Sequence, residues 1–298
     1  MGYPQTGIKS ICGLFGKTRQ AWYVHQWSDD EDMLRDAIVI KRVKEIRKQM
    51  PRIGTRKLHY LLTETLQRHN ISIGRNTLFD LLAEYQLLVR RRKRRRTSTT
   101  DSNHPFRKYP NLVRDLQVVR PNHLWVSDIT YISLIDNFCY LSLVTDAYSR
   151  KIVGHCLHPT LKKEGPITAL KIALSSLSGK PEAALIHHSD RGLQYCCTDY
   201  ITLLDSKKMA ISMTERGDPY ENALAERVNG ILKDEFLLDG EFDNFEQALV
   251  AVNNAINTYN SLRPHASCNY QTPDQTHQQQ GLLPMRWKKR KREELVIE

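Results

Sequence analysis

The chain has 298 residues, 40% hydrophobic and 26% charged, with a formal net charge of +11, which suits a soluble globular protein with room for two domains and a sizeable core. No stretch approaches the ~18 uninterrupted apolar residues of a membrane span, so an integral membrane role is excluded. The charge excess is local: residues 41–97 hold 17 basic and 4 acidic residues, while the remainder, with 27 and 29, is near neutral. A basic block beside a neutral body reads as a polyanion-binding module; the bland alternative is a solvated face with a tail. The N-terminus lacks a basic segment leading into an apolar block, so no secretory signal is expected. The six cysteines (12, 139, 156, 196, 197, 268) form no CxxC pair and do not alternate with histidines. That argues against a disulfide scaffold or a zinc site and suggests a reducing, cytoplasmic setting. Cys196 and Cys197 read as packed rather than reactive.

Taken in chain order, residues 1–35 form a short helical segment, weakly periodic over Ile8–Trp22. Ala37–Gln49, with apolar residues at 39, 40, 43 and 46, suits an amphipathic helix that Pro51 and Gly54 end. Arg56–Gln67 restarts the period with Leu58, Leu61, Leu62 and Leu66, and Asn76 is a plausible N-cap for a third helix carrying Leu78, Leu81 and Leu82. Three short helices in so basic a segment point to a helix-turn-helix module over 36–88. Residues 89–109, opening VRRRKRRR, have little to bury and read as a basic linker able to lie along phosphates.

From residue 110 the pattern changes to a mixed α/β core that runs to 275, followed by a basic tail at 276–298. HLWVSDITYISL, FCYLSLVTDAYS and KIVGHCL are successive strand-like runs. A helix over 164–178, a strand in AALIHHSD, a helix over Tyr195–Ser206 and a strand in MAISM follow, then helices over Asn222–Leu237 and Asn244–Tyr259. Three strands followed by alternating helix and strand predict a mixed sheet covered by helices.

Three acids stand out. Asp128 lies inside the most strand-like run, Asp190 ends an apolar strand just before Arg191-Gly192, and Glu226 lies on the helix ENALAERVNGILK. A carboxylate inside a buried strand is costly unless paired, hydrogen-bonded or bound to a metal, and ligand sites gather at strand ends of α/β sheets. Each acid has a plain alternative: a satisfied polar position near a sheet edge, a turn cap, an exposed helix residue. As a set they favour a hard cation, Mg²⁺ or Mn²⁺, over zinc. Two such ions ~3.5–4 Å apart support in-line phosphoryl transfer, and beside a basic module the obvious polyanionic substrate is DNA.

At this point WVSDITYI, HHSDRGLQY and PYENALAERVNGILKDEF resemble the DDE transposases of insertion-sequence family three, specifically their second-frame product. Asp190 and Glu226 are separated by 35 residues, like the family's D-35-E signature, and Asp128 and Asp190 by 61. VTDAYSRKIVGH, YNSLRPHASCNYQTP, NHLWVSDIT and the upstream PRIGTRKLHYLL match further, so the resemblance runs from about Lys9 to Pro273. Glu221 stands where an aspartate is common and Arg227 where a small or aromatic residue is frequent; neither change removes a proposed ligand. The resemblance implies a retroviral-integrase-like, RNase H-like core that cleaves a strand with water and joins a 3′-hydroxyl to another phosphodiester. Asp128, Asp190 and Glu226 would be catalytic and hold two Mg²⁺ ions, with Mn²⁺ able to substitute. The implied partners are element-end and target DNA, a second copy of the chain on DNA, and an upstream-frame helix-turn-helix protein; the implied setting is the bacterial nucleoid, with no membrane. The rival readings are a catalytically inactive DNA-binding regulator and an RNase H-like nuclease.

Candidate DNA contacts are Arg56, Lys57, Arg75 and Asn76 near a recognition surface, and Arg91, Arg92, Arg94 and Arg95 in the linker. Lys233 follows Glu226 by seven residues, on the same helix face; Glu226 is expected buried against the metals and Lys233 at the rim where DNA passes. Asp146 suits a hydrogen-bonding role at the core edge better than metal binding. His188 shares the strand face of Asp190 and either touches the scissile phosphate or is structural; His187 points the other way. Asn222 either orders a metal-bound water or caps its helix, and Trp22 and Trp125 are assigned to the core.

Overall fold

The computed structural model describes residues 7–90, 105–177, 185–215 and 222–284. The linker arginines Arg91, Arg92, Arg94 and Arg95, and the basic cluster 286–292, lie outside the described residues. Contacts divide the chain into two units, Met1–Lys48 with Gly54–Val89, and Gln49–Ile53 with Arg90–Glu298.

The first unit is helical: α1 (Ile8–Leu14), α2 (Arg19–Gln49), α3 (Thr55–Arg68) and α4 (Arg75–Glu84). Leu58, Leu62 and Leu66 of α3 and Leu78, Leu81 and Leu82 of α4 are buried at helical spacing, as are Val39, Ile40 and Val43 of α2. At the end of α3, Asn70 takes φ 53°, and the Asn70 and Ile71 amides donate to the Gln67 and Leu66 carbonyls at 3.2 and 2.8 Å. That left-handed cap closes the helix and turns the chain toward α4.

Two expectations for this region are corrected. The N-cap of α4 is Gly74, and Asn76 lies inside the first turn. Helix α2 begins at Arg19, well before Ala37, and Trp22 is 50% exposed rather than in the core. Met33 and Leu34 are exposed as well, so these apolar positions mark no buried stripe from which the helix could have been read.

The second unit is a mixed sheet with helices on both faces. Its elements are β1 (Leu124–Leu134), β2 (Phe138–Asp146), β3 (Ile152–His158), α5 (Glu164–Ser175), β4 (Ile186–Ser189), α6 (Leu193–Cys196), α7 (Thr198–Ser206), β5 (Ala210–Met213), α8 (Ala223–Glu235), β6 (Glu241–Phe242), α9 (Phe245–Ser261) and α10 (Pro273–Thr276). Strand order is β3-β2-β1-β4-β5, with β6 also paired to β1. The first three strands are antiparallel, and β4 and β5 run parallel to β1. This is an RNase H-like arrangement, preceded by the helical unit.

Alternation along β1 builds two cores. Trp125 joins Val144, Leu170, Tyr200 and Leu204 on one face, while Leu124 and Val126 pack with Ala147 and Ala225 on the other. Burial on both faces explains why the strand reads as a near-continuous apolar run. Helix α5 sits directly on β3: a Cβ at Gly154 would lie 2.1 Å from the Ala169 carbonyl oxygen, so only glycine permits this approach. The C-terminal end of α8 is anchored by a buried bidentate pair, Arg263 Nε and Nη2 each 2.8 Å from the Glu235 carboxylate.

Candidate active site

Sheet register brings two of the three singled-out acids together. β4 pairs with β1 only over Leu124–Val126, and β6 pairs with it at Ser133 and Leu134. On that side the intervening backbone, residues 127–132, pairs with no strand among the described residues. Val126 is in register with His188, and Asp128 and Asp190 each lie two residues further on. The two carboxylates therefore meet just past the carboxyl end of β4, where its pairing with β1 stops and β1 continues alone on that side; ligands of α/β sheets gather at such strand ends. Both line one cavity of about 350 Å³.

The Asp128 carboxylate is held from two directions. The Ile129 amide donates to Oδ1 at 3.0 Å and Asn229 Nδ2, from α8, donates to Oδ2 at 2.7 Å. Burial, then the charge of Asp190 and to a smaller degree that of Glu226, push its pKa up to about 7 against those two donors. Asp190 accepts from the Gly192 amide at 3.0 Å in the turn leaving β4. The site thus concentrates negative charge, and its donor set is all oxygen, which fits a hard divalent cation. Among the described residues no group of three or more acidic, histidine or cysteine side chains is close enough to enclose a metal ion.

Glu226 and Lys233 exchange the environments expected of them. Glu226 is exposed in the first turn of α8, and Lys233 is half-buried. The buried face of α8 runs through Ala225, Val228, Asn229, Ile231, Leu232 and Glu235, which puts Asn229, not Glu226, against Asp128. The Lys233 ammonium lies 4.8 Å from the Tyr131 ring centroid, and burial lowers its pKa while Asp128 raises it.

Asn229 was not anticipated, although its i+3 spacing from Glu226 on one helix face was a usable signal. Tyr195 was not anticipated either. It is 2% exposed, lines the cavity beside both aspartates, and its hydroxyl is buried with no hydrogen-bond partner among the described residues. Burial, and then the neighbouring Tyr200, Asp128 and Asp190, hold that phenol well above its ordinary pKa.

The other polar residues of the core are structural. Asp146 is fully buried and accepts from the Asn122 amide, the Ser149 amide and Ser149 Oγ, each at 2.7 Å, so its lone pairs are committed. His188 is fully buried with Nδ1 2.8 Å from Ser212 Oγ, which removes the phosphate-contact reading. His187 Nε2 is shared between Ser127 Oγ at 2.8 Å and Tyr200 Oη at 2.9 Å, and burial, followed by His188, lowers its pKa to about 3. Asn222 stands at the N-cap of α8 without a side-chain cap; its Nδ2 donates to the Ser127 carbonyl at 3.1 Å. Trp125 is fully buried and donates to Asn122 Oδ1 at 3.1 Å. In the helical unit, Arg56 at the start of α3 and Arg75 and Asn76 at the start of α4 are exposed, with Lys57 half-buried.

Two family models described as integrase core domains match this chain, over residues 118–219 and 207–273. The 31 kDa protein of insertion element IS600 from Shigella sonnei is 33% identical over 261 residues, covering 86% of this chain and 93% of that relative. The transposase InsF for insertion sequence IS3A of Escherichia coli is 33% identical over 165 residues, 55% of this chain and 57% of that protein. Among solved structures, the HTLV-2 integrase catalytic core in complex with magnesium is 26% identical, with a TM-score of 0.44, over 54% of this chain and 99% of that one.

Proposed function

We propose, from the premise that the chain belongs to the transposases of insertion-sequence family three and carries their integrase-type core, that it binds the ends of its element and performs magnesium-dependent strand cleavage and strand transfer. The observation that carries this reading is the side-by-side position of Asp128, inside β1, and Asp190, just past the end of the parallel strand β4, with Glu226 near enough to raise the Asp128 pKa.

Asp128 and Asp190 would hold the cation, with Glu226 on the exposed start of α8 as the third carboxylate. Bound magnesium, or manganese in its place, supplies the positive charge that activates an attacking hydroxyl and stabilises the leaving oxygen of an in-line displacement. Asn229 orients the Asp128 carboxylate through its 2.7 Å hydrogen bond. Lys233, beside Tyr131, neutralises a phosphate near the scissile bond but cannot itself ligate a cation. Water opens the first phosphodiester, and the freed 3′-hydroxyl attacks a second one, with no covalent enzyme intermediate.

The helical unit serves end binding. Arg56, Lys57, Arg75 and Asn76, at the first turns of α3 and α4, contact DNA there, and the linker arginines 91, 92, 94 and 95 contact phosphates. Joining two ends needs a homo-oligomer on DNA. Incubating the full chain with labelled element-end DNA tests the reading. Nicked and joined products should form with Mg²⁺, vanish with EDTA, and be absent for Asp128→Asn and Asp190→Asn. End binding without cleavage by the wild type would instead make the chain a regulator.

A further inference from the structure

We propose that Asn222 is a positioning residue: it holds the first turn of α8 against β1, so that Glu226 stays within reach of a cation held by Asp128 and Asp190. The proposal rests on the DNA-cutting function above and extends it to a residue outside the carboxylates.

Asn222 stands where an asparagine ordinarily caps its own helix, its side-chain oxygen accepting from an amide of the first turn. Here it makes no such cap. Its Nδ2 donates instead to the Ser127 carbonyl of β1, 3.1 Å away and 95 positions distant in sequence. Both residues are buried, at 7% and 1% exposure. The Asn222 Oδ1 is buried too, with no hydrogen-bond partner among the described residues. A side chain that forgoes the cap and leaves an acceptor unpaired gives up stability twice over. Such departures from local rules are expected where function sets the arrangement.

The next residue of β1 supplies the reason. Asn229, seven residues further along α8, donates to the Asp128 carboxylate at 2.7 Å. Seven residues are close to two full turns, so the two amides project from one helix face, about 10 Å apart along the axis. They grip consecutive residues of β1, one on each side of Glu226. Glu226 belongs to the same opening turn: its amide donates to the Asn222 carbonyl at 3.2 Å, and its side chain leaves the helix about 40° around from that of Asn222. Ala225 packs with Leu124 and Val126, but an apolar contact has no preferred direction and lets the turn slide. The hydrogen bond fixes it. With only the Asn229 end held, the opening turn, whose amides lack intrahelical acceptors, frays and carries Glu226 away from Asp128.

The test is Mn²⁺ binding by the full chain without DNA, read from the electron paramagnetic resonance of the free ion. Serine caps a helix as well as asparagine does, but it is too short to reach the Ser127 carbonyl. Asn222→Ser and Asn222→Ala should therefore both bind Mn²⁺ about tenfold more weakly than wild type. Glu226→Gln should weaken binding as well, and combining it with Asn222→Ser should add little, because the two act as one unit. Wild-type affinity in Asn222→Ser would make Asn222 a helix cap and overturn the proposal. So would additive losses in the double variant, a loss of stability in urea without a loss of affinity, or a wild type that takes up no Mn²⁺. If Asn222→Ala does not fold by circular dichroism, the cap-preserving Asn222→Ser answers the same question. Failure of the transposase reading shows separately, as absence of Mg²⁺-dependent cutting of element-end DNA by a wild type whose Mn²⁺ affinities follow the expected pattern.

Discussion

Replacing Asp128 with asparagine should abolish strand cleavage and, without divalent cation, make the protein more stable. The Asp128 pKa is raised from 3.8 to about 7, mainly by burial and by Asp190. The folded chain therefore holds this proton more tightly than the unfolded chain does, and stability falls as pH rises from about 4 to 7. At about 1.4 kcal/mol per pH unit, the ionised carboxylate costs the metal-free fold on the order of 2–4 kcal/mol above pH 7. Asparagine removes that charge at constant shape. The amide of Asn229 can turn, because its Oδ1 is buried without a partner among the described residues and can accept from the new amide. Urea titrations of wild type and Asp128→Asn in EDTA at pH 8 and pH 5 measure the difference. The variant should gain at least about 1 kcal/mol at pH 8, with a smaller gain at pH 5, where much of Asp128 is already protonated. Adding Mg²⁺ at pH 8 should stabilise only the wild type. An asparagine variant no more stable than wild type at pH 8, or equally favoured at both pH values, would refute the account of a strained carboxylate pair awaiting a cation.

Asn229→Ala removes a hydrogen bond to a charged group, worth about 1.5–3 kcal/mol. The Mg²⁺ concentration for half-maximal cleavage should rise by roughly one to two orders of magnitude, and an unchanged magnesium titration would show that Asn229 does not position Asp128. Arg263→Ala removes the bidentate guanidinium partner of the buried Glu235 carboxylate and should destabilise the core by about 3–5 kcal/mol in denaturant titration; a loss below about 1 kcal/mol would mean that other groups or water replace the guanidinium. Lys233→Ala should weaken end binding and lower the salt slope of log K by about one; parallel slopes with equal affinity would mean that the ammonium meets no phosphate. His187, buried with a pKa lowered to about 3, contributes stability that is complete above about pH 6.5 and is lost as pH falls toward 3. His187→Gln should therefore flatten the acid limb of a pH–stability curve, and an unaltered limb would place the acid sensitivity elsewhere.

The order of elements in the core was legible from residue pattern, because burial on two faces leaves apolar runs such as Leu124–Val126 and half-buried helices leave a stripe such as Leu58, Leu62 and Leu66. The unusual carboxylates were legible as well, since an aspartate inside a strand contradicts its surroundings before any fold is known. The long start of α2 was not, because apolar residues there such as Trp22, Met33 and Leu34 are exposed and trace no amphipathic period. Which acids meet was decided by sheet register: Val126 opposite His188 makes neighbours of Asp128 and Asp190 across 61 intervening residues. The rotation of α8 was decided by the packing of Ala225, Val228 and Leu232, which turned Asn229 onto Asp128, left Glu226 in solvent and laid Lys233 over Tyr131. Periodicity assigns a residue to a face of its own element; only the contact of that face with another element decides which partner it meets, and that contact depends on side chains far away in sequence.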